Sequence, residues 1–242
     1  MCTVLLRFAP GNAWPLLLAA VRDEFVDRAW DPPGRYWGDE LLGGRDGTAG
    51  GTWLAVDPSR PGVSAVLNGV RLPRPAEGDR PTRGTLPLSA LRDRVPADAS
   101  GYDGFHLLRG TPDEVRAWSW DGRDLVSQSL APGDYVIVNR GVGFVDEPVV
   151  AHFLPLLGSA ADPAAGASGS TVDFWGDWVT LLHGDGLDPG DPRALLVRRT
   201  VAERDYASTS ASLVAVRDGG TRYDFCPAPG DPSRWYRILP EG

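Results

Sequence analysis

The sequence predicts an α+β protein built on antiparallel sheet, and three observations carry the prediction. Short apolar runs with strand character crowd both ends of the 242-residue chain. Helix-period patterning is confined to its middle. Turn-forming Gly, Pro, Asp and Asn clusters join consecutive strands over too few residues for parallel crossovers.

Cys2 to Phe8 reads as a strand, with Val4, Leu5 and Leu6 in a run closed by Pro10-Gly11-Asn12. Leu16 to Val21 reads as the second arm of a hairpin. Residues 29 to 51, rich in Gly, Pro and Asp, read as a long loop pinned by Trp30, Tyr36 and Trp37. Thr52 to Val56 and Val63 to Leu67 are strands around a turn at Asp57-Pro58-Ser59. Residues 71 to 84 are irregular, and Leu86 to Arg94 form a short helix with Leu88 and Leu91 on one face. Phe105 to Leu108, Glu114 to Trp120, Asp124 to Ser129 and Tyr135 to Asn139 follow as a meander. Val149 to Leu157 is apolar nearly all round and broken by Pro155, and residues 160 to 170 are a small-residue loop. Asp173 to His183 is a helix starting at Asp173, with Phe174, Trp178, Leu181 and Leu182 on one face. Ser212 to Val216 and Arg222 to Phe225 close the chain as a hairpin around Asp218-Gly219-Gly220. No repeat or linker composition interrupts the chain, so one domain over 1–242 is expected.

Composition narrows the chemistry. The net charge is −8, and all 24 basic residues are arginine. An acidic chain without a basic cluster repels a phosphate backbone, so no nucleic-acid partner is expected. The lack of lysine excludes Schiff-base catalysis and a P-loop. Two cysteines, Cys2 and Cys226, make neither a disulfide framework nor a four-cysteine zinc site, and no metal is expected. The apolar run Ala13 to Val21 is too short to span a bilayer. Its flanks lack the charge and cleavage pattern of a signal peptide, so a cytoplasmic protein without membrane insertion is expected.

Cys2 stands directly after the initiator methionine. Removal of Met1 would place a thiol (ordinary pKa ~8.5) and an α-amine (~8) on one residue, so that the amine serves as the base for the thiol. The alternative is a small residue after Met with no further role. Arg22 and Asp23 end the second expected strand, which pairs back toward Cys2. There they could lower the thiol pKa and hold the amine, or form a surface pair worth under ~1 kcal/mol.

Met1-Cys2, Leu18 to Phe25 with Arg28, Gly43-Gly44-Arg45-Asp46 and Gly50 to Leu54 together resemble the NRDE family, which includes the transport and Golgi organisation 2 proteins. The resemblance continues through Ala65-Val66-Leu67-Asn68, Arg83-Gly84, Tyr102 to Leu108, Pro132-Gly133 with Val138-Asn139, and Ser208 to Val216. It implies a four-layer αββα sandwich of two antiparallel sheets, the N-terminal-nucleophile hydrolase fold. By motif, Cys2 would be the nucleophile, Arg22 and Asp23 would tune it, and Asn68 and Asn139 would contact the oxyanion or the amine. Asn68-Gly69 also reads as a hairpin-turn dipeptide. Substrate-side contacts would come from Trp53, Ser208, Ser210 and His106, the last of which also reads as a hydrogen-bonded structural histidine.

Three positions depart from the family pattern. Val21 replaces the first Asn of the signature, His106 an Asn, and Thr209 an arginine whose charge and fork a threonine cannot supply. Two functions are therefore expected from this sequence. The first is a cysteine amidohydrolase acting on a non-peptide C–N bond, with no cofactor and a small amide or acyl substrate. The second is a non-catalytic haem (porphyrin) or acyl-CoA and lipid binding protein. Cys226-Pro227 and the tryptophans around Phe174-Trp175 and Trp178 are the features that could serve it, and otherwise read as core.

Overall fold

Unbroken apolar runs such as Val4–Leu6 and Leu16–Val21, where a half-exposed strand would alternate, require strands buried on both faces. The computed structural model describes residues 2–38, 40–73, 80–166 and 168–239 and shows that burial. Strands β1 (Thr3–Phe8), β2 (Leu16–Phe25), β3 (Trp30–Gly34), β4 (Leu42–Asp46), β5 (Leu54–Asp57) and β6 (Gly62–Asn68) come first. Helix α1 (Leu86–Leu91) precedes β7 (Phe105–Gly110), β8 (Val115–Trp120), β9 (Leu125–Leu130) and β10 (Gly133–Ile137). Helices α2 (Pro148–Ser159), α3 (Thr171–Trp175) and α4 (Asp177–Leu182) follow. Strands β11 (Arg198–Val201), β12 (Arg204–Arg217), β13 (Gly220–Cys226) and β14 (Tyr236–Arg237) end the chain.

Among the described residues these strands form two antiparallel sheets of seven. One runs β10-β1-β2-β12-β13-β14 with β11 on β12, and the other is the meander β3 to β9 in sequence order. The side chains divide into layers as the period of two requires. Val4, Leu6 and Phe8 of β1 and Leu16, Leu18 and Ala20 of β2 face the second sheet, where they meet Leu54, Val56, Ala65 and Leu67. Leu5, Leu17, Ala19 and Val21 face the other way, against Phe153, Phe174, Trp178 and Leu182 of α2–α4. Helix α1 covers the outer face of the second sheet through Leu86, Leu88, Ala90 and Leu91. The result is the αββα layering that the family resemblance implies.

Four elements differ from the sequence reading, each for a local reason. Residues 29–51 are not one loop but contain β3 and β4. β3 carries Pro32 and Pro33 and occupies the sheet edge, where a missing N–H leaves no ladder bond unmade. Residues 173–183 are two short helices, because Gly176 adopts φ 48°, ψ −116° between them. The first is capped by Ser170 rather than Asp173: the Asp173 N–H donates to Ser170 Oγ, and the Ser170 N–H to Asp173 Oδ2. Val149–Leu157 lies within α2 despite Pro155. β12 starts well before Ser212, and its exposed to half-buried start, residues 204–207, pairs with β11, whose residues are all exposed and give no apolar signal. Six of the residues expected to be irregular, 74–79, lie outside the described residues.

Candidate active site

Register alone brings the candidate residues together. Val4 faces Ile137 on one side and Ala20 on the other. Continued by two residues, that pairing sets Cys2 between Asn139 and Arg22, and Arg22 faces Ser210 on β12. A row of four therefore crosses the end of the first sheet, at the mouth between the two sheets.

The Cys2 backbone nitrogen donates to Asn139 Oδ1 at 3.1 Å. Arg22 is buried, with its guanidinium 4.4 Å from the centre of the Trp53 ring, so the second sheet supplies its aromatic partner. Its Nη1 donates to Thr209 Oγ1 at 3.0 Å, and Nη2 lies 3.4 Å from Asp46 and 3.8 Å from Glu24. Thr209 sits in a bulge between Ser208 and Ser210, which turns its hydroxyl onto Arg22. Thus the residue standing at the family arginine position accepts a hydrogen bond from the arginine that remains. Asp23 is buried and accepts from Ser208 Oγ at 2.6 Å, and Ser208 Oγ accepts from the Val197 N–H at 2.9 Å.

Burial sets the electrostatics. It pushes the Cys2 thiol above its ordinary value, and the Asp23 charge adds to that, while the Asp23 backbone N–H and the Arg22 guanidinium favour the thiolate. Burial likewise raises the Asp23 carboxyl to about 6, against the pull of its Ser208 hydrogen bond. Asp46 shows the opposite balance. Burial works upward there, but the hydrogen bond from Arg28, at 2.7 Å, and the backbone N–H of Ala49 outweigh it and hold the carboxyl low.

A cleft of about 200 Å³ opens over this row, with Cys2, Arg22, Asp23, Trp53, Asn68 and Arg83 in its walls. Asn68 ends β6, paired with Phe105, so Asn68-Gly69 is not a hairpin turn. Of the residues expected at the substrate side, Trp53 lines the cleft, whereas Ser208, Ser210 and His106 stand behind it. Ser208 holds Asp23, and Ser210 is fully buried in β12. His106 contacts the Asn139 carbonyl through Nε2 at 3.1 Å and Ser119 Oγ through Nδ1 at 2.8 Å. A carbonyl can only accept, so Nε2 carries the proton and Nδ1 accepts from the serine. Burial holds this imidazole below its ordinary range, in keeping with that neutral form. His106 therefore positions Asn139.

The sequence reading missed Arg28, Asp46 and Arg83 as parts of the site. Gly43–Asp46 and Arg83-Gly84 lie in segments that carry the family resemblance, but nothing in a loop's composition says which way its charge faces. Here two glycines decide it. Gly51 and Gly84 touch so closely that a Cβ on Gly51 would lie 2.5 Å from the Gly84 carbonyl carbon, and the Thr52 N–H donates to Gly84 O at 2.8 Å. That contact docks residues 82–84 onto the start of β5 and brings Arg83 to the cleft. Among the described residues no group of three His, Cys, Asp or Glu side chains is arranged to hold a metal ion, and no helix is long and apolar enough to cross a membrane.

Comparison with known proteins agrees with the family motifs. The sequence is 34% identical to the Transport and Golgi organization protein 2 homolog of Bos taurus over 167 residues, covering 57% of each chain. It is 35% identical to the Mus musculus homolog over 127 residues, or 45% of this chain and 44% of that one. The chain thus spans about half the length of the curated relatives it matches. Among solved structures, the Caenorhabditis elegans N-acylethanolamine-hydrolyzing acid amidase ortholog aligns over 98% of this chain and 100% of that one, with 9% identity and a TM-score of 0.46. The sequence model described as Transport and Golgi organisation 2 matches residues 1–149, well over half of the 242, and the chain belongs to that family.

Proposed function

We propose that the chain is an N-terminal cysteine amidohydrolase that cleaves a non-peptide C–N bond in a small amide. The observation that supports this reading best is the hydrogen bond from Cys2 N to Asn139 Oδ1 at the mouth of the Arg22–Asp23 cleft. Removal of Met1 turns that nitrogen into an α-amine already facing an acceptor, on the residue whose thiol the Asp23 charge acts on.

The chemistry then needs no other base. Cys2 Sγ attacks the amide carbonyl carbon, the thiol proton passes to the α-amine directly or through water, and the C=O pair moves onto oxygen. Asn68 stands in the cleft wall as the neutral donor to that oxyanion, a contact worth ~3–4 kcal/mol in other enzymes. Collapse breaks the C–N bond, and the departing amine takes the proton from the α-ammonium. Water attacks the resulting thioester, giving a proton to the α-amine. The C–S bond breaks, the acid is released and the thiolate regains its proton.

The cleft suits the binding alternative less well. Its volume of about 200 Å³ is below the ~300–1,000 Å³ of pockets that enclose larger ligands. Guanidinium and carboxylate groups make up much of its wall, and no histidine lines it, so it fits a porphyrin poorly. Trp175, Trp178 and Cys226 pack in the core between the first sheet and its helices, and burial pushes the Cys226 thiol upward. The test is amine release from a panel of small N-acyl amides. Wild type is expected to release amine, and Cys2→Ala to fall on the order of ten-thousand-fold. A non-cleavable N-terminal extension, which blocks the α-amine, should be equally inactive. A rate that survives either change contradicts the mechanism.

A further inference from the structure

Three arginines line the cleft, and their partners differ. Arg28 is paired with Asp46 through Nε at 2.7 Å and Nη2 at 2.9 Å. Arg22 is shared between Asp46, Glu24 and Thr209. Arg83 makes one hydrogen bond, from Nη1 to Gly104 O at 2.9 Å, and no carboxylate of the described residues lies within ion-pairing distance of it. Asp103, whose charge acts on Arg83, is itself engaged by Arg80. The Gly104 carbonyl that holds Arg83 also accepts the Gly69 N–H at 2.8 Å, so Arg83 is tethered to the residue after Asn68. The Gly51–Gly84 contact fixes its backbone from the other side. A cation held this firmly at a cleft wall, with donors to spare, is a preformed anion contact.

We propose that Arg83 binds an anionic group of the substrate, and that the amide cleaved at Cys2 carries a carboxylate on the Asn68 side of its carbonyl. The assignment rests on the reading of Cys2 as the nucleophile. One uncommitted guanidinium balances one negative charge, which suits a carboxylate. A dianionic phosphate would call for a second free cation, and Arg22 and Arg28 are already engaged.

Alkylation of Cys2 by iodoacetate and by iodoacetamide tests this without any turnover, since the reagents are alike in size and differ in charge. Rates at Cys2, identified by peptide mass and by comparison with Cys2→Ala, are divided by those for a free N-terminal cysteine peptide. The wild-type ratio of iodoacetate to iodoacetamide should exceed the peptide's by roughly tenfold and fall with added salt. Arg83→Gln should return it to the peptide value with the iodoacetamide rate little changed, and Arg83→Lys should retain part of the preference. Glutarate, and not glutaramide, should protect wild-type Cys2 from iodoacetamide. Reactive Cys2 with no anion preference and no glutarate protection overturns the role of Arg83 and leaves the nucleophile standing. An equal loss toward both reagents in Arg83→Gln would place Arg83 on the thiolate, and also overturns it. A Cys2 inert to both reagents removes the nucleophile reading and this assignment with it.

Discussion

Two buried arginines on the same sheet show how one set of residue types can close a core or open a site. Arg222 and Asp224 on β13 are almost wholly shielded from solvent, and every charged atom between them is engaged. Nε and Nη2 of Arg222 reach Asp224 at 2.7 and 3.1 Å, the guanidinium lies 4.1 Å over the Phe174 ring, and Thr171 and Trp175 fill the remaining acceptor sites of Asp224. Arg22 has the same aromatic support from Trp53, yet its surroundings are unfinished. Among the described residues, Ser210 Oγ is buried with no hydrogen-bond partner, and no carboxylate lies within ion-pairing distance of Arg83. Saturated buried pairs fix a structure, and unsaturated ones beside a cleft leave valence for a ligand.

The comparison breaks most visibly at Asp224. Asp224→Ala strands a buried guanidinium and should cost about 3–5 kcal/mol in denaturant unfolding, with Cys2 alkylation preserved in the folded fraction. A loss under ~1 kcal/mol would mean that the network is not the closed unit described.

Asp23→Asn sharpens the contrast because its sign is opposite. The folded chain holds the Asp23 proton more tightly than the unfolded chain, since its carboxyl titrates at about 6 rather than 3.8. Stability from this group is therefore full below about pH 4 and is lost as pH rises through about 6. Asn removes the titration, so the variant should be more stable than wild type at about pH 8, by on the order of 2 kcal/mol, and the gap should close below about pH 4. Amide cleavage should fall in the same variant. Lower stability than wild type at about pH 8 would contradict the raised carboxyl.

Trp53→Leu removes the ring beneath Arg22 and should cost about 1–2 kcal/mol, with slower Cys2 alkylation as Arg22 loosens. Ser210→Ala is the smallest change. It deletes a buried hydroxyl that bonds to nothing, so stability should hold or rise by up to ~1 kcal/mol. A loss larger than that would show that the hydroxyl is engaged.

The sequence made the strands legible wherever burial is two-sided, because Val4–Leu6, Leu16–Val21 and Ser212–Val216 admit few readings besides strands, whereas the layering was implied only by the family resemblance. It hid β3 and β11, an edge strand with two prolines and an exposed strand, since neither has an apolar pattern to show. Within the site, Cys2, Arg22 and Asp23 were legible because a hairpin and a motif both place them, and Asn139 through the motif alone. Arg83 was not. Its position depends on a Gly51–Gly84 contact between segments about thirty residues apart, and no local pattern encodes such a meeting. His106, Ser208 and Ser210 were found but misplaced by one layer, for a strand pattern shows that a residue nears a site and not which neighbour it serves.

The central claim is that Cys2 works as a free N-terminal aminothiol. Intact mass, followed by labelling with a cyanobenzothiazole that condenses only with an N-terminal cysteine, tests it most directly. The account predicts a mature chain lacking Met1 and a single adduct on Cys2, absent from Cys2→Ala. A retained Met1, or equal labelling of wild type and Cys2→Ala, would contradict it.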